Sequence, residues 1–408
     1  MKHWVWITVS VLWGGLWISP ADGACRSIKL TPEPYWVSSA AWTPDGAHLL
    51  LVDSLTSRVL SYDVNGRQQD LTDEYRGIDG FFPVSVESIP TAAGPKQLLQ
   101  LTHSRMRVVS FESASSLYAG FDVAPPEDEV GTGPGVLRLQ NAQNPLAVEK
   151  VWQFALVGDP TSSMTQRRLV GFADVSRAAG GGKDWSFDLV TLPWGQRDRA
   201  VTVSAPTVSA PDFDDPVRTY FRLGYPLIAA LGQDVFVLRM EEYPKLYQLR
   251  GAATGRTELD ALAGLDLGQR TALPSFDRFS EAYPQLMQAL VDNPDKAPAA
   301  LYAQGSLLYV LFRQRVDQPS GGTRWTLAAI DPYDENGDYW RGEAEVVGVT
   351  SDHLTVVPGD KSWAFIEKGR AVELFTEQDI PTMTLVPTEQ VAGIAGGPRS
   401  NGLTRLCP

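Results

Sequence analysis

Apolar and polar positions along the chain fall into short alternating runs separated by turn residues. The clearest unit is Trp36 to Arg67, WVSSAAWTPDGAHLLLVDSLTSRVLSYDVNGR. Ala40-Ala41-Trp42 is a short apolar strand, Thr43-Pro44-Asp45-Gly46 a turn, and His48 to Asp53 an apolar run closed by a carboxylate. Leu55-Thr56-Ser57 turns again, Arg58 to Asp63 alternates, and Asn65-Gly66 is the pair favoured in type I′ hairpins. The pattern predicts three antiparallel strands. Such a meander cannot bury both faces alone, so it needs copies of itself to stack against.

The rhythm returns five times. The second meander runs from Val84 through Gln97–Leu101 to Met106–Phe111, and the third through Val151–Val157, Arg168–Val175 and Trp185–Leu192. The fourth takes Leu227–Leu231, Val235–Met240 and Lys245–Leu249, and the fifth Ala300–Ala303, Leu307–Phe312 and Arg324–Ile330. The sixth takes His353–Val357, Trp363–Glu367 and Ala371–Phe375. Meanders in series at intervals of about 50 to 75 residues predict a radial repeat, an all-β six-bladed β-propeller. A β-sandwich with a separate second domain is the alternative. A propeller must close its ring, and two further alternating runs, Ser27–Leu30 and Thr382–Val386, allow the N-terminal strand to complete the last blade. Phe276, Phe279, Tyr283, Leu286, Met287 and Leu290 instead recur at helical spacing, which predicts a short helical insertion near Ser275–Val291.

The ends of the chain change the picture. A basic Met1-Lys2-His3, an apolar stretch Trp4–Trp17 and the small residues of Ala21-Asp22-Gly23 read as a signal peptide over residues 1–23. Residues 24–408 then form a single propeller domain, periplasmic or secreted, with no membrane span after cleavage. The apolar stretch is shorter than the roughly 20 residues a spanning helix needs; an uncleaved anchor is the alternative. The only cysteines are Cys25 and Cys407. A disulfide tying the two ends is the preferred reading in an oxidising compartment. Lipidation of Cys25 is the weaker one, because Asp22 stands where an acceptor cysteine is usually preceded by a leucine-like residue. A net charge of −13 argues against nucleic acid as a partner, since phosphate binding needs a basic field.

The first unit resembles the opening blade of the gluconolactonase-like and NHL-type six-bladed propellers, in Trp42-Thr43-Pro44-Asp45-Gly46, Leu51-Val52-Asp53 and Val59 to Gly66. The resemblance implies the propeller fold. It also implies, in the lactonases, a divalent metal in the central channel whose first ligand is a glutamate four residues before the tryptophan matching Trp42. This chain has Ser38 there. A hydroxyl is a poor replacement for a carboxylate on a hard cation, so the fold is expected without that metal chemistry, and no metal or other cofactor is assigned.

Other candidates have plainer readings. Asp331-Pro332-Tyr333-Asp334-Glu335-Asn336-Gly337-Asp338 looks like a calcium loop, but Pro332 breaks the ligand spacing and a hairpin turn explains it better. Asp212, Asp214 and Asp215 read as a solvated acidic loop, and Ala178–Lys183 as a glycine-rich hairpin. His48, His103 and His353 fall in separate repeats without metal-site spacing. Channel carboxylates drawn from several blades could include Asp53, Glu87, Asp174 and Glu241. The aromatics Tyr35, Trp36, Trp194, Tyr243, Tyr339 and Trp340, in or beside loops, are candidate ligand-binding residues. With no catalytic residues assigned, the leading expectation is an exported non-catalytic scaffold binding a protein or small molecule. The alternative is a metal-dependent lactonase-like hydrolase or a dehydrogenase with a central-channel site.

Overall fold

The computed structural model describes residues 25–30, 37–123, 146–203, 226–269, 293–349, 351–367, 382–396 and 404–407, less short gaps at 55, 76–77, 79–80, 95, 102–104, 111–116, 180–181, 197–198, 241–242 and 317–321. Its strands form six separate sheets, antiparallel except for one strand, and the first five follow the chain from an inner strand outward. Blade one is Val37–Trp42, His48–Asp53, Arg58–Asp63 and Gln68–Asp70; blade two is Pro83–Ile89, Lys96–Leu101, Arg105–Val109 and Leu117–Asp122. Blade three is Leu146–Val157, Arg168–Ala179, Gly182–Pro193 and Val201–Thr202; blade four is Ile228–Leu231, Asp234–Arg239, Lys245–Leu249 and Asp260–Ala261. Blade five is Ala297–Gln304, Leu307–Val316, Gly322–Ile330 and Trp340–Val346, and blade six begins with Leu354–Val357 and Ser362–Glu367. The six-bladed propeller read from the meanders is thus the fold.

The ring closes through its ends. Arg26–Lys29 pairs antiparallel with Thr382–Pro387 and becomes the outermost strand of blade six, with Ile28 opposite Met383. Thr382–Pro387 is also the third strand of that blade, pairing with Ser362–Glu367. The sequence reading assigned that place to Ala371–Phe375, which lies outside the described residues. A strand near the C-terminus can take either role in a pattern of alternation, and only the pairing partner decides. Thr404–Leu406 then adds parallel to Trp340–Val346 as a fifth strand on blade five. Cys407 follows it directly and is disulfide-bonded to Cys25, which directly precedes the outer strand of blade six. The bridge therefore joins the outer rims of two adjacent blades.

Blade three is longer than its pattern suggested. Its central hairpin pairs from Arg168–Pro193 to Ala179–Gly182, so polar Ser176 and Arg177 continue the strand that hydrophobicity alone ends at Val175. The expected helix at Ser275–Val291 lies outside the described residues, as do residues 1–23; the α-helical pieces described are Thr72–Tyr75 and Thr388–Gly393.

Packing follows from two-faced burial. Blade residues alternate between neighbouring blades, so each pair of blades shares one apolar layer. Ala41, Leu50, Val52 and Val59 of blade one meet Val86, Leu99, Leu101 and Val109 of blade two. Ile89, Leu98 and Met106, on the opposite face of blade two, meet Leu146, Val151, Phe154 and Leu169 of blade three.

Candidate functional site

The six inner strands surround the central channel. An inner-strand residue has its own second strand behind it and neighbouring blades on either side. Its remaining exposure opens onto the channel or, at strand ends, onto the faces of the propeller. The partly exposed positions include Ser38 and Ser39 of blade one, Ser85 and Glu87 of blade two, Trp152 and Gln153 of blade three, and Gln304 of blade five.

Most of these polar groups are used to hold the ring together. Ser38 Oγ donates toward Val84 O at 2.8 Å and Val52 O at 3.2 Å, and Ser39 Oγ toward Val86 O at 3.1 Å, joining blades one and two. Gln100 Nε2 donates to Val151 O at 2.6 Å, joining blades two and three, while its Oε1 accepts Ser85 Oγ at 2.9 Å. Leu227 N donates to Gln153 Oε1 at 2.8 Å between blades three and four, and Leu301 N to Pro226 O at 2.7 Å between four and five. Gln304 Nε2 donates to Gly359 O at 2.7 Å between five and six, and its Oε1 accepts the indole N–H of Trp363. Trp42 Nε1 donates to Val357 O at 3.3 Å and completes the ring from blade six to blade one.

Ser38 thus has a structural occupation at the position where the resemblance would put a metal-ligating glutamate. Among the described residues no three His, Cys, Asp or Glu side chains come together in a way that could hold a metal ion. Among the described residues no donor set fits a lactonase metal centre.

The proposed channel carboxylates separate. Asp53 is buried at the end of the second strand of blade one and ion-paired with Arg58 at 3.2 Å. Asp174 sits on the second strand of blade three and accepts Trp152 Nε1 at 3.1 Å. Glu241 lies outside the described residues. Glu87 alone is on an inner strand and has no hydrogen bond or ion pair to another described residue. It is only partly exposed, and burial pushes its carboxyl up to about 7.

The candidate aromatics do not share one surface. Tyr243, on the connection between the second and third strands of blade four, is 59% exposed. Tyr339 and Trp340, where the third strand of blade five passes to the fourth, are half-buried, with Trp340 stacked on Phe312 at 6.0 Å between ring centres. Trp194 is buried against Phe121, so its ring packs between blades two and three and presents no loop-tip anchor. Tyr35 and Trp36 lie outside the described residues.

The calcium-like loop is a hairpin connection. Asp334 Oδ1 accepts Asn336 N at 2.9 Å and Asp338 N at 3.2 Å, and Gly337 takes a positive φ of 75°. Arg341 supplies the cation, at 2.8 Å from Asp331 and 2.6 Å from Asp334. Ala178–Lys183 likewise spans a hairpin, with Ala179 opposite Gly182. His48 and His353 stand at strand starts in blades one and six; His103 and the Asp212–Asp215 cluster lie outside the described residues.

The inner-ring glutamines and serines escaped the sequence reading. Their signal was present, since Gln100 and Gln153 are amides inside otherwise apolar runs, but nothing in the sequence says which strand edge faces another blade.

No family model and no curated protein matches the chain. Solved structures do match. A gluconolactonase from Xanthomonas campestris aligns at 10% identity over 90% of this chain and 92% of its own, with a TM-score of 0.43. The hydrazine synthase of Kuenenia stuttgartiensis aligns at 11% identity over 90% and 81%, TM-score 0.40, and a streptogramin B lyase at 9% over 89% and 97%, TM-score 0.39. TM-scores below 0.5 carry no argument about this chain, and its own six sheets make it a six-bladed β-propeller.

Proposed function

We propose that the protein is an exported binding propeller whose channel and loop faces hold a ligand and catalyse no reaction. Residues 1–23 act as a cleaved signal peptide, and the Cys25–Cys407 bridge suits the oxidising compartment reached by export. The ligand is a protein or a small molecule, and the exposed Tyr243 and half-buried Tyr339 and Trp340 are candidate contacts.

The observation that carries this reading is Ser38. Its hydroxyl is committed to Val84 O and Val52 O in the seam between blades one and two, at the position where a lactonase would need a free carboxylate. Elemental analysis of the purified mature protein, with a lactone-hydrolysis assay, tests it. Substoichiometric metal and no turnover are expected. About one equivalent of calcium, zinc or manganese that survives dialysis, together with lactone turnover, would overturn the reading in favour of the hydrolase alternative. Sequencing the mature N-terminus checks export, with a start at Ala24 or Cys25 expected.

A further inference from the structure

Many arginines of this acidic chain stand against a carboxylate. Arg58 pairs with Asp53, Arg107 with Asp122, Arg313 and Arg315 with Asp352, Arg324 with Glu345, and Arg341 with Asp331 and Asp334. Arg168, Arg199 and Arg256 have no ion pair among the described residues. With 48 acidic against 35 basic side chains in the sequence, a shortage of carboxylates does not explain this.

The fold brings these three together. Arg168 opens the second strand of blade three, and its Nε donates to Thr191 Oγ1 at 3.3 Å. Thr191 lies on the third strand directly opposite Val201 of the outer strand, and Arg199 stands two residues before Val201. Two turns set Arg199 there, with Gln196 N donating to Pro193 O at 3.0 Å and Arg199 N to Gln196 O at 3.1 Å. On the other side the second strand of blade three packs against Ala252–Thr254, a single 3-10 turn of blade four. A Cβ on Gly255 would stand 3.2 Å from Arg168 Cζ, so the Arg168 guanidinium lies on that turn. Arg256 follows at once, its Cδ 3.7 Å from where a Cβ on Gly251 would be.

The guanidinium groups are weakly answered. Arg199 Nη1 donates to Gln196 Oε1 at 2.9 Å, and Arg168 has only the Thr191 hydroxyl. Burial, and after it the charge of Arg199, hold the Arg168 guanidinium below its ordinary range. Acids of the adjoining turns are engaged elsewhere. Asp159 Oδ1 accepts Thr161 N at 2.8 Å and Thr161 Oγ1 at 2.6 Å; Asp234 accepts Gly251 N at 2.7 Å and Gln248 Nε2 at 2.8 Å.

We propose that the junction of blades three and four, where Arg168, Arg199 and Arg256 gather, binds a doubly charged tetrahedral oxyanion, the phosphate or sulfate group of a ligand. Guanidinium N–H forks match the oxygens of such a group, and two charges on the anion offset the mutual repulsion of the arginines. The site lies among the turns toward the outer rim, so it goes beyond the channel reading above and does not depend on it.

Isothermal titration of the full mature protein at pH 8 in low-salt buffer, with sodium phosphate, sodium sulfate and sodium acetate in separate runs, tests the proposal. Saturable binding of phosphate or sulfate with a dissociation constant of about 1 mM is expected, and acetate about tenfold weaker. Arg168→Gln should weaken dianion binding about tenfold and the exposed Arg199→Gln about fivefold. Arg324→Gln, which breaks an ion pair on blade five, should bind as the parent does. No saturable binding of either dianion, acetate binding as tight as theirs, or parent-like binding by both Arg168→Gln and Arg199→Gln would overturn the proposal. Should Arg168→Gln fail to fold, Arg199→Gln and Arg256→Gln decide, because both side chains are exposed. Bound metal with lactone turnover would sink the scaffold reading and leave this site standing, whereas silence toward both dianions in a metal-free protein would sink this site alone.

Discussion

Two adjacent seams of the propeller meet the channel differently. Between blades one and two the inner strands touch, and two serine hydroxyls close the seam onto backbone carbonyls. Between blades two and three, as between five and six, the inner strands make few close approaches, one buried glutamine bridges the blades, and Glu87 has no partner among the described residues. Serine is short and bonds only backbone close beside it, whereas glutamine reaches further; glutamines bridge both sparsely contacting seams and the packed seam between blades three and four.

The largest expected effect lies on the blade-three side of the seam that Gln100 bridges. Its inner strand bulges between Val151 and Gln153, and Gly171 lies beneath the bulge. A Cβ there would meet Gln153 O at 2.7 Å and Phe154 Cβ at 2.9 Å. Gly171→Ala should cost about 3 kcal/mol in denaturant unfolding, because backbone on a buried strand must shift. An unchanged midpoint would mean that the bulge is soft and that the seam's width is not fixed by it.

Next comes Gln100→Ala, which leaves Val151 O and Ser85 Oγ without their partner and opens a void. A loss of about 2 kcal/mol is expected by the same measurement. Ser38→Ala, at the closed seam, should cost only about 1 kcal/mol, since packed strands still hold the blades together. Reversal of that order would break the comparison, because it would make the serine seam the more dependent on its side chains.

Glu87 gives the comparison a pH axis. Its folded pKa of about 7 exceeds the ordinary glutamate value of about 4.3, so the native state binds more protons than the unfolded chain between those values. Stability from this group is complete at low pH and is lost as pH rises through 7. Glu87→Gln should therefore flatten the fall in melting temperature between pH 5 and pH 8, gaining on the order of 2 kcal/mol over the parent at pH 8. Parallel profiles for the two proteins would show that the carboxyl is well solvated. The smallest effect is expected from Ser61→Ala in the closed seam. Its hydroxyl is buried with no partner among the described residues, and removing it should leave stability within about 0.5 kcal/mol of the parent or raise it slightly.

Much of the architecture was readable because a propeller repeats a local rule. Turn residues such as Gly46, Gly232 and Gly305, each at positive φ between a first and a second strand, punctuate apolar runs that must alternate to bury two faces. Cys25 and Cys407 were readable as a pair because a chain with two cysteines has one internal disulfide available to it. Outer strands were harder: Gln68–Asp70, Val201–Thr202 and Asp260–Ala261 are short and mostly polar or exposed, so only their neighbours identify them. The candidate site was readable in one residue only. Glu87 stood among four candidate channel carboxylates with nothing to separate it from Asp53 or Asp174. Trp194 read as a loop aromatic until packing against Phe121 buried it.

The amino-acid sequence by itself determined the repeat, the turns and the two cysteines that can join, because periodicity and turn chemistry act between neighbours along the chain. Only the tertiary structure decided that Thr382–Pro387 sits between Ser362–Glu367 and the N-terminal strand, that Ser38 is spent on a seam, and that Glu87 is left without a partner among the described residues. Those outcomes depend on which strand edges meet across blades, through distances and burial between residues far apart in the chain.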